Sequence, residues 1–233
     1  MAIDIIESAL AKGRDFLYED EAKGMLGQWG INVNSCKAAF TPEEAVLLAG
    51  EAGYPVALKV RSRSALHKSD LGGVHLNLPG FQEVLCAFDN IMARIKPLDP
   101  DAGVTVQPMA NSGVEVIVGF ASDKQFGKVL MFGLGGIFAE VLEDVGFRLC
   151  PLDQEQALAL LKSIKGYKIL EGYRGAPPLD IMALSQIIAR VSQLAVLKPQ
   201  ILELDLNPVV VYPKGALALD ARAKLEIVGA PGN

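Results

Sequence analysis

The sequence predicts an α+β protein of two lobes around a cleft, and three observations carry that expectation. Strand-like and helix-like stretches alternate, but without the single long series of strand–helix–strand units that a doubly wound sheet requires. After Gly113 the texture changes to closely spaced buried strands. The chain has 233 residues, 51% of them hydrophobic and 21% charged, enough to bury a sizeable core in one large domain or two lobes. The boundary falls near residues 109–113. The expected organisation is an N-terminal helical segment 1–30, a small lobe 31–110 and a large lobe 111–228.

In chain order, residues 18–29 carry Ala22, Met25, Leu26 and Trp29 at helical spacing, and Gly30 stops the run. Thr41, Pro42, Glu43 and Glu44 open a second helix: Thr41 suits the N-cap, Pro42 the first helical position, and the glutamates the positive end of the dipole. Gly53 ends it. A short apolar strand with one lysine follows at 54–60, and residues 61–73 have no clean period and read as a loop. Next come a strand at 74–78, a helix at 81–95 and a strand at 104–109. Beyond Gly113, strands are expected at 114–120 and 129–132 with a turn near Asp123, helices at 153–164 and 178–197, and strands at 201–206, 209–212 and 216–219.

Composition excludes several classes. A net charge of −5 argues against non-specific nucleic-acid binding, which needs a basic footprint. Cys36, Cys86 and Cys150 are odd in number and widely spaced, so neither a disulfide framework nor a metal-ligand pattern is suggested. No apolar run reaches the ~18–20 residues of a membrane span, and the acidic, helix-periodic start does not resemble a signal peptide. The expected location is the cytoplasm.

Four stretches could carry chemistry. Lys59 interrupts an apolar strand; it either points to water from a sheet edge or is a neutralised cation aimed at a phosphate. The loop SALHKSDLGGV, residues 64–74, holds an imidazole, an ammonium, a hydroxyl, a carboxylate and two glycines. Glycines let backbone amides approach a phosphate, and an imidazole can form a covalent phosphoryl intermediate. By itself, a loop histidine such as His67 is more often solvated; His75, in a strand, reads as structural. FGLGGIFAE, residues 132–140, is glycine-rich but is not a dinucleotide fingerprint, and glycine turns are common. In ELDLNP, Glu203, Asp205 and Asn207 alternate along one strand face, with Asp220 following after a hairpin return. Hard oxygen ligands on adjacent strands suit Mg²⁺ carrying nucleotide phosphates; a solvated acidic face is the alternative.

Together these pieces resemble the ATP-grasp subunit of ADP-forming acyl-CoA synthetases such as acetate–CoA ligase, and more distantly the nucleotide-binding lobe of the succinyl-CoA synthetase beta subunit. The matching stretches are EAKGMLGQWGI, TPEEAVLLAGEAGYPVALKV, LHKSDLGGVHLNL, VQPMANSGVEVIVGF, DKQFGKVLMFGLGGIFAEVLEDVGFRL, and ELDLNPVVV with ALDAR, spanning roughly residues 20–225 in order. HKSDLGGV and FGLGGIFAE are the most specific. The family often has proline near Arg63 and Lys128, outside the inferred ligand positions.

The resemblance implies an ATP-grasp fold whose two α+β lobes enclose a nucleotide cleft, with ATP or ADP and Mg²⁺ as cofactors. By resemblance, Lys59 contacts the phosphates. His67 is transiently phosphorylated, with Lys68 and Ser69 beside it. The backbone of Gln107, Pro108 and Met109 reads adenine, and Glu115 faces the ribose. Gly135, Gly136 and Glu140 belong to the glycine-rich segment over the site; Asp205, Asn207 and Asp220 hold Mg²⁺. No part of the chain resembles the family's CoA-binding portion, so a CoA-binding alpha subunit is the expected partner in a hetero-oligomer such as α2β2. Two rival functions fit the same residues: another ATP-grasp ligase joining a carboxylate to an amine, and a non-catalytic nucleotide-sensing module.

Overall fold

The computed structural model describes residues 4–63, 72–136, 144–173 and 175–227. They form two compact units. The small unit comprises Tyr18–Asp20 and Asn34–Asn111; the large unit comprises Met1–Leu17, Glu21–Val33 and Ser112–Asn233. Every strand pairing within the two sheets is antiparallel, as an α+β protein requires.

The small unit is a four-stranded sheet of order β2-β5-β3-β4, made by β2 (Lys37–Ala39), β3 (Val56–Arg61), β4 (Val74–Leu78) and β5 (Gly103–Pro108). Helices α3 (Pro42–Ala52) and α4 (Phe81–Ile95) cover one face. The N-terminus of α3 forms as its sequence demands. Thr41 Oγ1 accepts from the Glu44 amide while the Glu44 carboxylate accepts from the Thr41 amide, a reciprocal capping box with Pro42 in the first turn. Along α4, Val84, Ala87, Phe88, Ile91, Met92 and Ile95 recur at helical spacing and are all buried. They meet Val56, Leu58, Val60, Val104 and Val106 of the sheet. Burying each large apolar side chain contributes roughly 1.5–3 kcal/mol, before the opposing entropy of ordering it.

The large unit is a seven-stranded sheet. Its main path runs β1 (Phe16–Leu17), β11 (Arg222–Leu225), β9 (Ile201–Val211), β6 (Val114–Asp123), β7 (Gly127–Leu134) and β8 (Val145–Leu149), with β10 (Ala216–Ala218) also pairing with β9. One face carries Val118, Phe120, Leu130, Phe132, Leu204 and Leu206. Its core is completed by α2 (Glu19–Gln28), α5 (Gln154–Ser163) and α7 (Ile181–Leu197), and the short α1 (Ile5–Ala11) and α6 (Tyr167–Leu170) flank it. Side chains alternate along strands, so the opposite face is set by register. Arg222, Asp205, Gly119, Met131 and Phe147 form one row across five strands of that other face.

Residues 201–211 form one strand where the sequence suggests two. The suggested break corresponds to a bulge. Opposite β6, Val116 pairs with Val209 and Val118 with Leu206, leaving Asn207 and Pro208 against a single residue. Pro208 has no N–H to give the ladder, so a bulge is where a proline can sit in a central strand. The helix expected from 178 starts at Ile181, and Asp180 caps it by accepting from the Ala183 amide at 2.9 Å.

Candidate functional site

In the small unit, β3 lies between β5 and β4, with Lys59 opposite Thr105 and Val74. The edge-strand reading of Lys59 is therefore wrong. Val56, Leu58 and Val60 point into the core, which places Ala57, Lys59 and Arg61 on the face away from α3 and α4. The Lys59 side chain is 11% exposed, and its Nζ donates to Glu19 Oε1 at 2.8 Å; the Glu19 side chain is 2% exposed. The same oxygen accepts from Gln107 Nε2, also at 2.8 Å. Gln107 Nε2 further donates to Thr105 Oγ1, and Gln107 Oε1 accepts from Asn34 Nδ2. One residue along, Asp20 Oδ1 accepts from Arg61 Nε at 2.9 Å, and the Arg61 guanidinium lies 3.8 Å from the Tyr18 ring centroid. Tyr18, Glu19 and Asp20 thus grip two alternate cations of β3, and Glu19 neutralises an ammonium that burial would otherwise make costly.

The described residues on either side of 64–71 are anchored within the small unit. Asp99 Oδ2 accepts from Ser62 Oγ at 2.7 Å and from the Arg63 amide at 2.8 Å, and Gly73 O accepts from the Val60 amide at 2.7 Å. Burial pushes the Asp99 carboxyl upward, but the bonds from Ser62, Arg63 and Asp101 outweigh it and hold the group below its ordinary value. His67, Lys68 and Ser69 lie between these anchors, outside the described residues. At the end of β5, Gln107 pairs with Ala57 and Pro108 with Val56, and the Met109 amide donates to Pro55 O at 3.1 Å.

In the large unit, Glu115 and the glycine segment meet directly. Glu115 O accepts from the Gly135 amide at 2.8 Å. Gly136 has φ +58°, and a Cβ there would stand 3.0 Å from Glu115 Oε2. Glycine is needed at 136 both for the left-handed backbone and for the approach of that carboxylate. Glu140 falls outside the described residues.

Asp205 lies in the middle of the sheet, opposite Arg222 on β11 and Gly119 on β6. A Cβ on Gly119 would come within 2.6 Å of Leu204 O, so glycine permits this strand spacing. Asn207 lies in the β9 bulge. The Leu219 amide donates to Pro208 O at 2.9 Å, bringing Asp220 alongside. The buried Lys23 ammonium of α2 donates to Leu219 O at 2.7 Å and fixes the same turn. Burial raises the Asp205 carboxyl above its ordinary value; the Asp220 charge adds to the rise, and Arg222 opposes it.

Two repelling carboxylates, one of them desolvated, fit a divalent cation whose charge would relieve both. Among the described residues no group of three or more His, Cys, Asp or Glu could hold a metal ion. Mg²⁺ does not require one, since it binds through one or two carboxylates and completes its shell with water and substrate phosphates. Glu203 lies apart, 3.7 Å from Lys224.

The sequence reading missed Glu19, Asp20, Arg61 and Asp99. Lys59 signalled that a counter-charge must exist, but nothing in a one-dimensional pattern selects Glu19 from 27 acidic residues. Its neighbours Asp20 and Glu21 make it look like an ordinary acidic helix start.

Two α+β units on antiparallel sheets, one with a buried lysine on its central strand and the other with a carboxylate pair on its sheet, are the architecture of an ATP-grasp protein. The chain belongs to the ATP-grasp domain family, whose profile matches residues 8–225. Along nearly its whole length it is similar to the beta subunit of ADP-forming acetate–CoA ligase I from Pyrococcus furiosus. The two are 47% identical over 224 residues, 95% of this chain and 96% of the relative. The corresponding beta subunit of ligase II from the same organism is 45% identical, over 97% of this chain and 98% of the relative. Among solved structures, the "Ca. Korarchaeum cryptofilum" dinucleotide-forming acetyl-coenzyme A synthetase 1, in complex with coenzyme A and Ca-AMPCP, matches with a TM-score of 0.90 and 43% identity, over 96% of this chain and 99% of that one. A Mg-AMPPCP complex of that synthetase, its phosphohistidine segment pointing towards the nucleotide binding site, matches with a TM-score of 0.84 and 42% identity over the same shares. No helix among the described residues is long and apolar enough to cross a membrane.

Proposed function

We propose that this chain is the nucleotide-binding beta subunit of an ADP-forming acyl-CoA synthetase of the acetate–CoA ligase type. The observation that carries the reading is the end-to-end match to two beta subunits of such ligases, at 47% and 45% identity. The ADP-forming acetate–CoA ligases of Archaeoglobus fulgidus support a division of labour. This chain matches 30% and 33% of their lengths, which leaves most of each enzyme to parts that it does not resemble. A CoA-binding alpha subunit is the partner that would supply them, in a hetero-oligomer such as α2β2. The catalysis would take place in the cytoplasm.

In this reading the partner forms an acyl phosphate and its phosphoryl group passes to the imidazole of His67. The N–P bond of the phosphoimidazole then breaks as a terminal oxygen of ADP forms the new P–O bond, and His67 returns to its neutral form. Lys59, held against Glu19 and Gln107, together with Lys68, offsets the negative charge that crowds around the transferring phosphoryl group. Ser69, next to Lys68 in the sequence, would act near the nucleotide as the family resemblance implies. As the family resemblance implies, the backbone of Gln107, Pro108 and Met109 would read adenine, Glu115 would face the ribose, and Gly135, Gly136 and Glu140 would belong to the glycine-rich segment of the nucleotide site. Asp205, Asn207 and Asp220 would hold Mg²⁺, which when bound neutralises phosphate charge. The protein's contribution is positioning and charge, because phosphoryl transfer asks little covalent chemistry of the residues around it beyond the histidine.

The test is chemical. With the alpha subunit, Mg²⁺ and labelled ATP, this chain should acquire an acid-labile, base-stable phosphoryl label. His67→Asn should abolish the label and the overall reaction while leaving nucleotide binding largely intact; His75→Asn should do much less. Turnover by His67→Asn within a few-fold of the wild type would refute the relay.

A further inference from the structure

On the open face of the large sheet, the row that holds Asp205 also holds a cation. Arg222 of β11 stands directly opposite Asp205 of β9. Side chains alternate along β11: Ala223 and Leu225 are buried in the core, which turns Arg222 and Lys224 to the open face with Asp205 and Glu203. The two cations differ in what engages them. Lys224 Nζ lies 3.7 Å from Glu203 Oε1, the carboxylate opposite it in the ladder. Arg222 is exposed, and its guanidinium makes no hydrogen bond or ion pair among the described residues. Its charge nonetheless reaches the Asp205 carboxyl and works against the rise that burial causes there. A planar fork of donors therefore stands beside the proposed Mg²⁺ ligands with its hydrogen-bonding capacity unspent.

Asp205 and Asp220 together cancel the charge of one Mg²⁺, so the phosphates that the ion carries keep their own negative charge. In the reading above that charge is met by Lys59 and Lys68, both of the small unit, and the large unit is assigned no cation of its own. We propose that Arg222 is a phosphate-binding residue of the nucleotide site, its guanidinium binding the terminal phosphate of ADP beside Mg²⁺. The proposal rests on the nucleotide-binding reading given above. Arginine suits the position better than lysine, because its fork takes two oxygens of a phosphate at once and its weaker hydration costs less to remove. The rival role is opposite in sign. A cation that served only to balance Asp205 would compete with Mg²⁺ for that carboxylate, so removing it would tighten binding of the metal–nucleotide complex. A cation that binds phosphate works together with Mg²⁺, and removing it weakens binding.

The experiment is calorimetric titration of the full chain with MgADP, and with AMP as a control ligand that keeps the base and ribose but lacks the terminal phosphate. For Arg222→Gln the MgADP dissociation constant should rise by about tenfold or more, the loss expected for one charge-assisted contact, while that for AMP stays within about twofold of the wild type. Unchanged or tighter MgADP binding overturns the proposal. So does an equal loss for both ligands, since a general disturbance of the pocket would produce that result. Arg222→Lys keeps the charge without the fork and should weaken MgADP binding about threefold or more. It decides the matter if Arg222→Gln does not fold, and wild-type affinity in that variant then overturns the proposal. Failure of the nucleotide reading looks different, because then the wild type itself does not bind MgADP.

Discussion

Replacing Lys59 with methionine should destabilise the small unit, and the structure sets the scale. The ammonium and carboxylate are 2.8 Å apart. At an effective dielectric constant of about 20, a pair at that distance gains about 6 kcal/mol of gross Coulomb energy, much of it offset by the cost of removing both charges from water. Taking away one partner leaves that cost without the gain, and breaking a buried pair costs about 3–5 kcal/mol. Gln107 Nε2 still donates to Glu19 Oε1, and a charge-assisted hydrogen bond recovers part of it, so the lower end, about 3 kcal/mol, is expected. Adding Glu19→Gln to Lys59→Met removes the stranded charge and lets the two amides bond. The double variant should return to within about 1 kcal/mol of the wild type. Urea denaturation followed by far-ultraviolet circular dichroism gives all four corners of the cycle. If Lys59→Met costs less than about 1 kcal/mol, or the second substitution brings no recovery, then Glu19 does not neutralise Lys59.

Three further outcomes follow from the same geometry. The folded pKa of Asp205 is raised, so its contribution to stability is fully present below the ordinary value of 3.8 and lost as pH rises through the folded value. Asp205→Asn should therefore melt higher than the wild type at pH 7 without Mg²⁺ while binding Mg-nucleotide more weakly; a lower melting temperature would contradict the burial cost that raises the carboxyl. Gly136→Ala forces a side chain into a left-handed backbone at a cost of roughly 1–2 kcal/mol and against Glu115 Oε2, so nucleotide affinity measured by calorimetry should fall. Thr41→Ala removes one arm of the α3 capping box, far along the chain from every candidate ligand, and should cost about 1 kcal/mol in urea denaturation while leaving nucleotide affinity unchanged.

Elements with a local cause were legible in the sequence. The α3 cap follows from Thr41, Pro42 and Glu44, and α4 from its apolar stripe, each set by residues within a few positions of one another. The short strands β1, β2, β8 and β11 were not legible. They have two to five residues, and they exist because a neighbouring strand offers a ladder. The bulge at Asn207 and Pro208 read as a gap between strands because only pairing with β6 shows the strand continuing. The same division holds at the site. The alternation of Asp205 and Asn207 is a local pattern. The Lys59–Glu19 pair joins residues 40 positions apart, and the sequence could state the need for a partner without naming it.

The central claim is that this chain by itself binds an adenine nucleotide, and titrating the isolated, folded protein with MgADP tests it most directly. The account predicts saturable binding of one nucleotide per chain, weakened in the double variant Glu19→Gln/Lys59→Met, which retains the fold. Absence of binding by well-folded wild-type protein at millimolar MgADP would contradict it.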